Sequence, residues 1–291
     1  MTARVGLVGL GRMGRAIAAR LAEEGVDLHV WNRTPGKAEG LAVREAGTPA
    51  ALAQATDIIL VIVRDEAALE AIYKGPHGLC SVDLSGKTIV EMSTAAIQAI
   101  RDVLASANEA GAQVVDAPVS GSVQPARRGE LLVMAGGEEA AVERASVVLT
   151  RIARRIVHVG PLGTGITMKL VVNLPLATYW QTLGEALGIG LRNGLTLDGM
   201  LAMIADSKAA IGALAGKIDR ILDADLPPEF DLAGMAKDLT AMCCTARALD
   251  HPVPACDAAR SSAVAAVDAG WGERDLAQLT RFAADRAAPS E

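Results

Sequence analysis

Aromatic residues are scarce in this chain, at three Trp, two Tyr and two Phe in 291 residues. A composition that is 51% hydrophobic must therefore build its core from Ala, Leu, Val and Ile, and alanine-rich helices can pack closely. Cysteine is limited to Cys80, Cys243, Cys244 and Cys256, none in C-x-x-C spacing, so free thiols are expected. Cys243 and Cys244 read as two faces of a helix rather than a redox pair. The histidines (His29, His77, His158, His251) show no ligand spacing, and no metal is expected. No run of 18 apolar residues lacks polar breaks, so no membrane partner is expected. No signal peptide is visible, and the expected location is cytoplasmic. A net charge of −6 with no basic stripe argues against nucleic acid. It does not exclude small anionic ligands, because a local site decides that. Repeats and low-complexity tracts are absent too.

What is present is an alternation. Apolar runs at 4–10, 28–31, 58–63, 88–92, 113–116, 131–135 and 155–159 read as strands, with helical patterns between several of them, for example 14–24 and 95–110. This predicts a mainly parallel α/β sheet. After about residue 165 the strand signal fades, and 165–192, 197–205, 208–223, 231–249, 253–269 and 274–286 read as helices. Gly194 and Leu226-Pro227-Pro228 mark breaks.

The first strand runs into Gly9-Leu10-Gly11-Arg12-Met13-Gly14 and then a helical pattern, the context a dinucleotide turn requires. Gly9 permits the tight turn, Gly11 lets a pyrophosphate approach, and Gly14 lets the helix pack on the strand. The phosphates then sit at a helix N-terminus, where unpaired N–H groups favour anions. The fold class that follows is α/β, a Rossmann-type N-terminal domain plus an all-α C-terminal domain linked by a long helix. The expected boundaries are 1–163 and 164–291, with 164–192 as the linking helix. The second strand ends in Asn32-Arg33-Thr34 with Lys37 just after, and no acid stands where NAD sites usually carry one. Arg33 and Lys37 attract a 2′-phosphate, and Asn32 and Thr34 can hydrogen-bond it, so NADP(H) is preferred with NAD(H) as the alternative.

Three further motifs carry chemistry. Gly160-Pro-Leu-Gly163-Thr-Gly165 opens a stretch holding Lys169 and Asn173, which lie i and i+4 on one helix face, and from Leu170 to Gly184 no residue is charged. A lone lysine there can simply snorkel. Asp116-Ala-Pro-Val-Ser120-Gly121-Ser122 is a strand entering a small-residue loop, able to offer N–H groups and hydroxyls to a carboxylate; alone it is more often an ordinary turn. Phe230 to Leu239 reads as a helix carrying Lys237 and Asp238. Adjacent residues do not face each other on a helix, so this pair reads as a surface feature rather than a salt bridge.

Taken in order, Gly9–Gly14, Asp116–Ser122, Gly160–Asn173 and Phe230–Leu239 resemble the β-hydroxyacid dehydrogenases over nearly the whole chain. The resemblance implies that Lys169 is the catalytic acid or base, with Asn173 beside it. It implies that Ser120, Gly121 and Ser122 hold substrate, that Ser93 and Thr94 lie beside the nicotinamide, and that Val63 binds the cofactor. Lys237 matches a lysine close to both cofactor and substrate. Within the family, Asn32-Arg33-Thr34 and Ser120-Gly121-Ser122 followed by Gln124-Pro125-Ala126 and Gly129 are most similar to the glyoxylate and succinic semialdehyde reductases. Ser122 replaces the commoner glycine, which argues against a plain 3-hydroxyisobutyrate dehydrogenase. Imine reductases share the Asn-Arg-Thr mark but typically lack the lysine.

The expected reaction is reduction of a small carboxylate-bearing carbonyl to the hydroxy acid, with Lys169 giving the proton. The alternatives are a 3-hydroxyisobutyrate-type dehydrogenase and a non-catalytic NADP-binding protein. The resemblance also implies a homodimer or homotetramer. Pro175 removes an N–H inside the predicted helix and clashes with the carbonyl of Val171, which costs roughly 3 kcal/mol uncompensated. A kink at Leu174–Leu176 is expected.

Overall fold

A computed structural model describes residues 3–285, and by its internal contacts the chain divides into two units, Met1–Val171 and Val172–Glu291. In the first unit the strands are β1 (Val5–Val8), β2 (Leu28–Trp31), β3 (Arg44–Glu45), β4 (Ile58–Val61), β5 (Thr88–Glu91), β6 (Gln113–Asp116), β7 (Val119–Ser120), β8 (Leu131–Gly136) and β9 (Ala153–Gly160). The helices are α1 (Arg12–Glu23), α2 (Pro49–Ala55), α3 (Glu66–Lys74), α4 (Ile97–Glu109), α5 (Val123–Arg128), α6 (Glu139–Leu149) and the head of α7 (Thr164–Arg192).

The strands form one sheet in the order β3-β2-β1-β4-β5-β6-β8-β7, with β9 paired to β8. From β3 to β6 every pairing is parallel, and the order reverses between β1 and β4, as in doubly wound dinucleotide folds. Side-chain parity sends Val5, Leu7, Leu60, Val90 and Val115 to one apolar layer with α1 and α6. Val8, Ile59, Val61, Ile89 and Val114 go to the other, with α2, α3 and α4. Central strands buried on both faces read as continuous apolar runs, which is why β1, β4 and β5 were visible; β2 and β9 are only partly buried and showed through their short apolar runs. The two-residue strands β3 and β7 are too short to leave a period.

The second unit holds the rest of α7 with α8 (Leu197–Ala205), α9 (Ile218–Leu222), α10 (Leu232–Ala248), α11 (Pro254–Ala266) and α12 (Leu279–Asp285). Among its described residues no strand forms, only the bridge Asp231–Asp275. Alanines 236, 241, 246, 259, 263 and 266 are buried in α10 and α11. The core is thus built from small residues, as the scarcity of aromatics requires.

Two helices differ from expectation. Over 208–223 helix forms only at 218–222, after a 3-10 turn at 215–217. Ser207 Oγ accepts the Ala209 N–H in a local turn, and Gly212 follows, so the backbone leaves the helix there. The 274–286 segment begins instead with Asp275 capping a 3-10 turn at 276–278, and residue 286 lies outside the described residues. α7 continues through Pro175 as one helix.

Candidate active site

The glycine turn behaves as its spacing demands. Gly9 has a φ of 98°, and a Cβ there would lie 2.1 Å from the carbonyl oxygen of Ile62. A Cβ on Gly14 would lie 1.9 Å from the carbonyl oxygen of Gly9, so α1 packs directly on the turn. A Cβ on Gly11 would meet nothing within 4 Å. Gly11 is the N-cap of α1, with no side-chain cap and no acid in the first turn. Two glycines close the turn, and the third keeps a helix N-terminus open to an anion. The residues present therefore fit a dinucleotide pyrophosphate.

Asn32 does more than its sequence position indicated. Its Oδ1 accepts the Leu10 N–H at 2.8 Å, and its Nδ2 donates to the carbonyl of Thr34 at 2.9 Å. It thereby joins the glycine turn to the loop after β2. Arg15 on α1 donates to the carbonyls of Lys37 and Glu39 and fastens the same loop from the other end. The side chains of Arg33, Thr34 and Lys37 are exposed on a loop whose backbone is held.

The loops after β4 and β5 are tied to each other. Val63 N–H donates to Ser93 Oγ at 2.8 Å, and Ser93 N–H donates to Glu91 Oε1 at 2.8 Å. Ser93 is buried and Thr94 half-buried.

Lys169 is half-buried, a little over one turn into α7, and the head of that helix is anchored by a residue whose capping role sequence reasoning missed. Asp116, at the end of β6, is 0% exposed. Its Oδ1 accepts the Gly163 N–H and its Oδ2 the Ile166 N–H, each at 2.7 Å. A Cβ on Gly165 would come within 2.4 Å of the Asp116 carbonyl and 2.5 Å of the Met134 carbonyl, so the helix head rests on the sheet. Burial pushes the Asp116 carboxyl up to about 6, against the N–H bonds from Ile166, Gly163 and Gly165 that favour its charge. The signal that could have found this cap is an acid closing a buried strand, paired with a glycine-rich helix start elsewhere. The apolar stretch after Lys169 is not wholly buried, since Val171 is 61% exposed.

Ser120 lies on β7 opposite Leu132, and Ser122 is the N-cap residue of α5. These two hydroxyls and Gly121 thus sit just beyond β6, on the carboxyl edge of the parallel strands.

In the second unit the expectation for Lys237 and Asp238 is corrected. Lys237 Nζ lies 3.0 Å from Asp238 Oδ1, and Asp238 is buried. A lysine stem is long enough to fold back beside its neighbour, which the face-to-face rule for helices ignores. Asp238 Oδ2 accepts from Asn173 Nδ2 at 3.4 Å. Asn173 is itself buried, so its amide is oriented rather than solvated. Among the described residues no cluster could hold a metal ion, and no helix is long and apolar enough to cross a membrane.

Comparison with known proteins agrees with this geometry. A family profile described as the NAD binding domain of 6-phosphogluconate dehydrogenase matches residues 4–160. A second, described as NAD-binding of NADP-dependent 3-hydroxyisobutyrate dehydrogenase, matches residues 163–283. The 2-(hydroxymethyl)glutarate dehydrogenase of Eubacterium barkeri is 34% identical over 242 residues, covering 81% of this chain and 80% of its own. The crystal structure of 3-hydroxyisobutyrate dehydrogenase from Salmonella typhimurium superposes with a TM-score of 0.84 at 26% identity, covering 96% of this chain and 99% of that one. The Mycobacterium tuberculosis 3-hydroxyisobutyrate dehydrogenase with L-serine gives 0.84 at 25% identity, covering 97% and 99%. An open glycine turn on a 3-2-1-4-5-6 sheet, followed by a helical unit matched by the second profile, thus leads to one assignment: the chain belongs to the β-hydroxyacid dehydrogenase family and is an NAD(P)-dependent dehydrogenase of that family.

Proposed function

We propose that the chain is an NADP(H)-dependent reductase of small carbonyl acids, of the glyoxylate or succinic semialdehyde type, with Lys169 as the proton donor. The observation that carries this reading is the anchored head of α7. Asp116 fixes the helix bearing Lys169 to the carboxyl end of β6, on the same sheet edge as the glycine turn after β1 and the Ser93 loop after β5.

The residues assigned to the dinucleotide are Gly9, Leu10, Gly11, Arg12, Met13 and Gly14 at the pyrophosphate. Asn32, Arg33, Thr34 and Lys37 serve the adenosine phosphate, and Val63, Ser93 and Thr94 the nicotinamide end. When bound, the cofactor supplies a hydride to the carbonyl carbon. The protein's part is positioning and proton transfer. Ser120, Gly121 and Ser122 take the substrate carboxylate through hydroxyl and N–H donors. Lys169 Nζ gives a proton to the carbonyl oxygen as charge develops there, and neutral Lys169 takes it back in the oxidative direction. Asn173, one turn further along α7 and held by Asp238, orients the substrate oxygen or Lys169. A homo-oligomer belongs to this reading, and light scattering would test it.

A second reading has its own support. The compounds named with the relatives, 3-hydroxyisobutyrate, 2-(hydroxymethyl)glutarate and L-serine, share a 3-hydroxypropanoate skeleton and differ at C2. Oxidation of such a hydroxy acid uses the same proton site in reverse. A panel of glyoxylate, succinic semialdehyde, 3-hydroxyisobutyrate and 2-(hydroxymethyl)glutarate, with NADP(H) and NAD(H), separates the two. The first reading expects the two aldehydes to drive NADPH oxidation fastest. Turnover confined to the hydroxypropanoates establishes the second, and no turnover with any of them overturns both.

A further inference from the structure

Glu91 closes β5 with a carboxylate that is 1% exposed, beneath the loop that carries Ser93 and Thr94. Each of its oxygens is engaged. Oε1 accepts the Ser93 N–H at 2.8 Å, and Oε2 accepts the hydroxyl of Tyr73, itself fully buried on α3, at 2.8 Å. The Ser93 hydroxyl accepts the Val63 N–H. A chain of contacts therefore runs from Tyr73 through Glu91 and Ser93 to Val63, joining α3 and the loops after β4 and β5. Nothing in the reaction itself needs this acid.

We propose that Glu91 is a positioning residue for the nicotinamide end of the cofactor site, its carboxylate setting the backbone of Ser93 and so the two loops that Ser93 joins. The proposal rests on the reading that these loops hold the nicotinamide.

Burial raises the Glu91 carboxyl to about 7, against the bonds from Ser93, Tyr73 and the Met92 N–H. The titratable groups around it are Tyr73, which is pushed up by burial and by Glu91, and Cys80, which acts on Tyr73. Asp116 is its register partner on β6. On this side α4 contributes the apolar Ile100 and Leu104, and α7 contributes Ile166. As pH falls through about 7 the carboxylate takes a proton, and one acceptor for Ser93 or Tyr73 becomes a donor.

The test uses the full-length protein with Glu91→Gln, Glu91→Asp and Ser93→Ala, measuring NADPH and 2′,5′-ADP affinity, cofactor KM, kcat and melting temperature from pH 5.5 to 8.5. Gln mimics the protonated acid, since its amide can donate to the Tyr73 oxygen while its carbonyl accepts from Ser93. At pH 8.5 Glu91→Gln should weaken NADPH about fivefold, the difference between a charge-assisted and a neutral hydrogen bond. It should also remove the part of the acid-side weakening that 2′,5′-ADP, which lacks the nicotinamide, does not show. Glu91→Asp should restore part of that pH dependence. Wild-type NADPH affinity and pH profile in Glu91→Gln, with Ser93→Ala still weakened, would overturn the role of Glu91. A parallel loss of NADPH and 2′,5′-ADP affinity with melting temperature would reduce it to a structural acid. Unchanged NADPH affinity in Ser93→Ala would instead overturn the reading of the loop.

Discussion

Gly11→Ala and Gly14→Ala differ by one turn of chain and should fail in opposite ways. At Gly11 the added methyl meets no protein atom within 4 Å, so the fold has room for it. The space it fills is the space assigned to the pyrophosphate. Losing one N–H contact to an anion, at about 1.5–3 kcal/mol, weakens NADPH roughly 10- to 150-fold. At Gly14 the methyl would lie 1.9 Å from the carbonyl oxygen of Gly9, far inside van der Waals contact, and the atom it meets is backbone. Either α1 or the turn must move, and overpacking of this kind costs about 1–3 kcal/mol. Alanine's better helix propensity returns up to about 1 kcal/mol of that. For a unit of this size the net loss lowers the melting temperature by up to roughly 12 °C. The assay pairs thermal unfolding of the apo-protein with NADPH titration by fluorescence. Gly11→Ala should melt like the wild type and bind poorly, whereas Gly14→Ala should melt lower. Wild-type NADPH affinity in Gly11→Ala would refute the assignment of that opening to the pyrophosphate.

Two other outcomes follow from named contacts. Arg33→Ala with Lys37→Ala should raise the KM for NADPH at least tenfold and leave NADH nearly unchanged, because both exposed cations are assigned to the 2′-phosphate; equal effects on the two cofactors in steady-state kinetics would remove that assignment. In the second unit, Lys217 Nζ lies 2.8 Å from Asp275 Oδ2 and 3.0 Å from Glu229 Oε2, with Asp275 1% exposed. Lys217→Met leaves a buried carboxylate with less compensation, and urea unfolding should show a loss of about 3 kcal/mol.

The sheet was legible because its central strands are short apolar runs separated by helices, and Gly9, Gly11 and Gly14 each have a distinct steric reason that spacing alone conveys. What stayed hidden was long-range. Asp116 lies 47 residues from the Gly163 N–H it caps, and no local pattern links an acid ending a strand to a helix head that far along the chain. Asn32 was readable as a polar residue facing a ligand, but its bond to the Leu10 N–H depends on how β1 and β2 pair. Asp238 was misread because a helix-face rule was applied to a lysine long enough to fold back on its neighbour. The failed helix at 208–214 shows the opposite limit, where an apolar, alanine-rich segment gave a helical pattern that Ser207 and Gly212 interrupt locally.

The central claim is that Lys169 moves the proton. Lys169→Ala, assayed for NADPH oxidation with the best carbonyl acid from the panel and for NADPH binding by fluorescence, tests it most directly. The account predicts a fall in kcat of about 10²- to 10⁴-fold, the usual contribution of a positioned general acid, with NADPH affinity within about twofold of the wild type. A variant that keeps most of its turnover would contradict it.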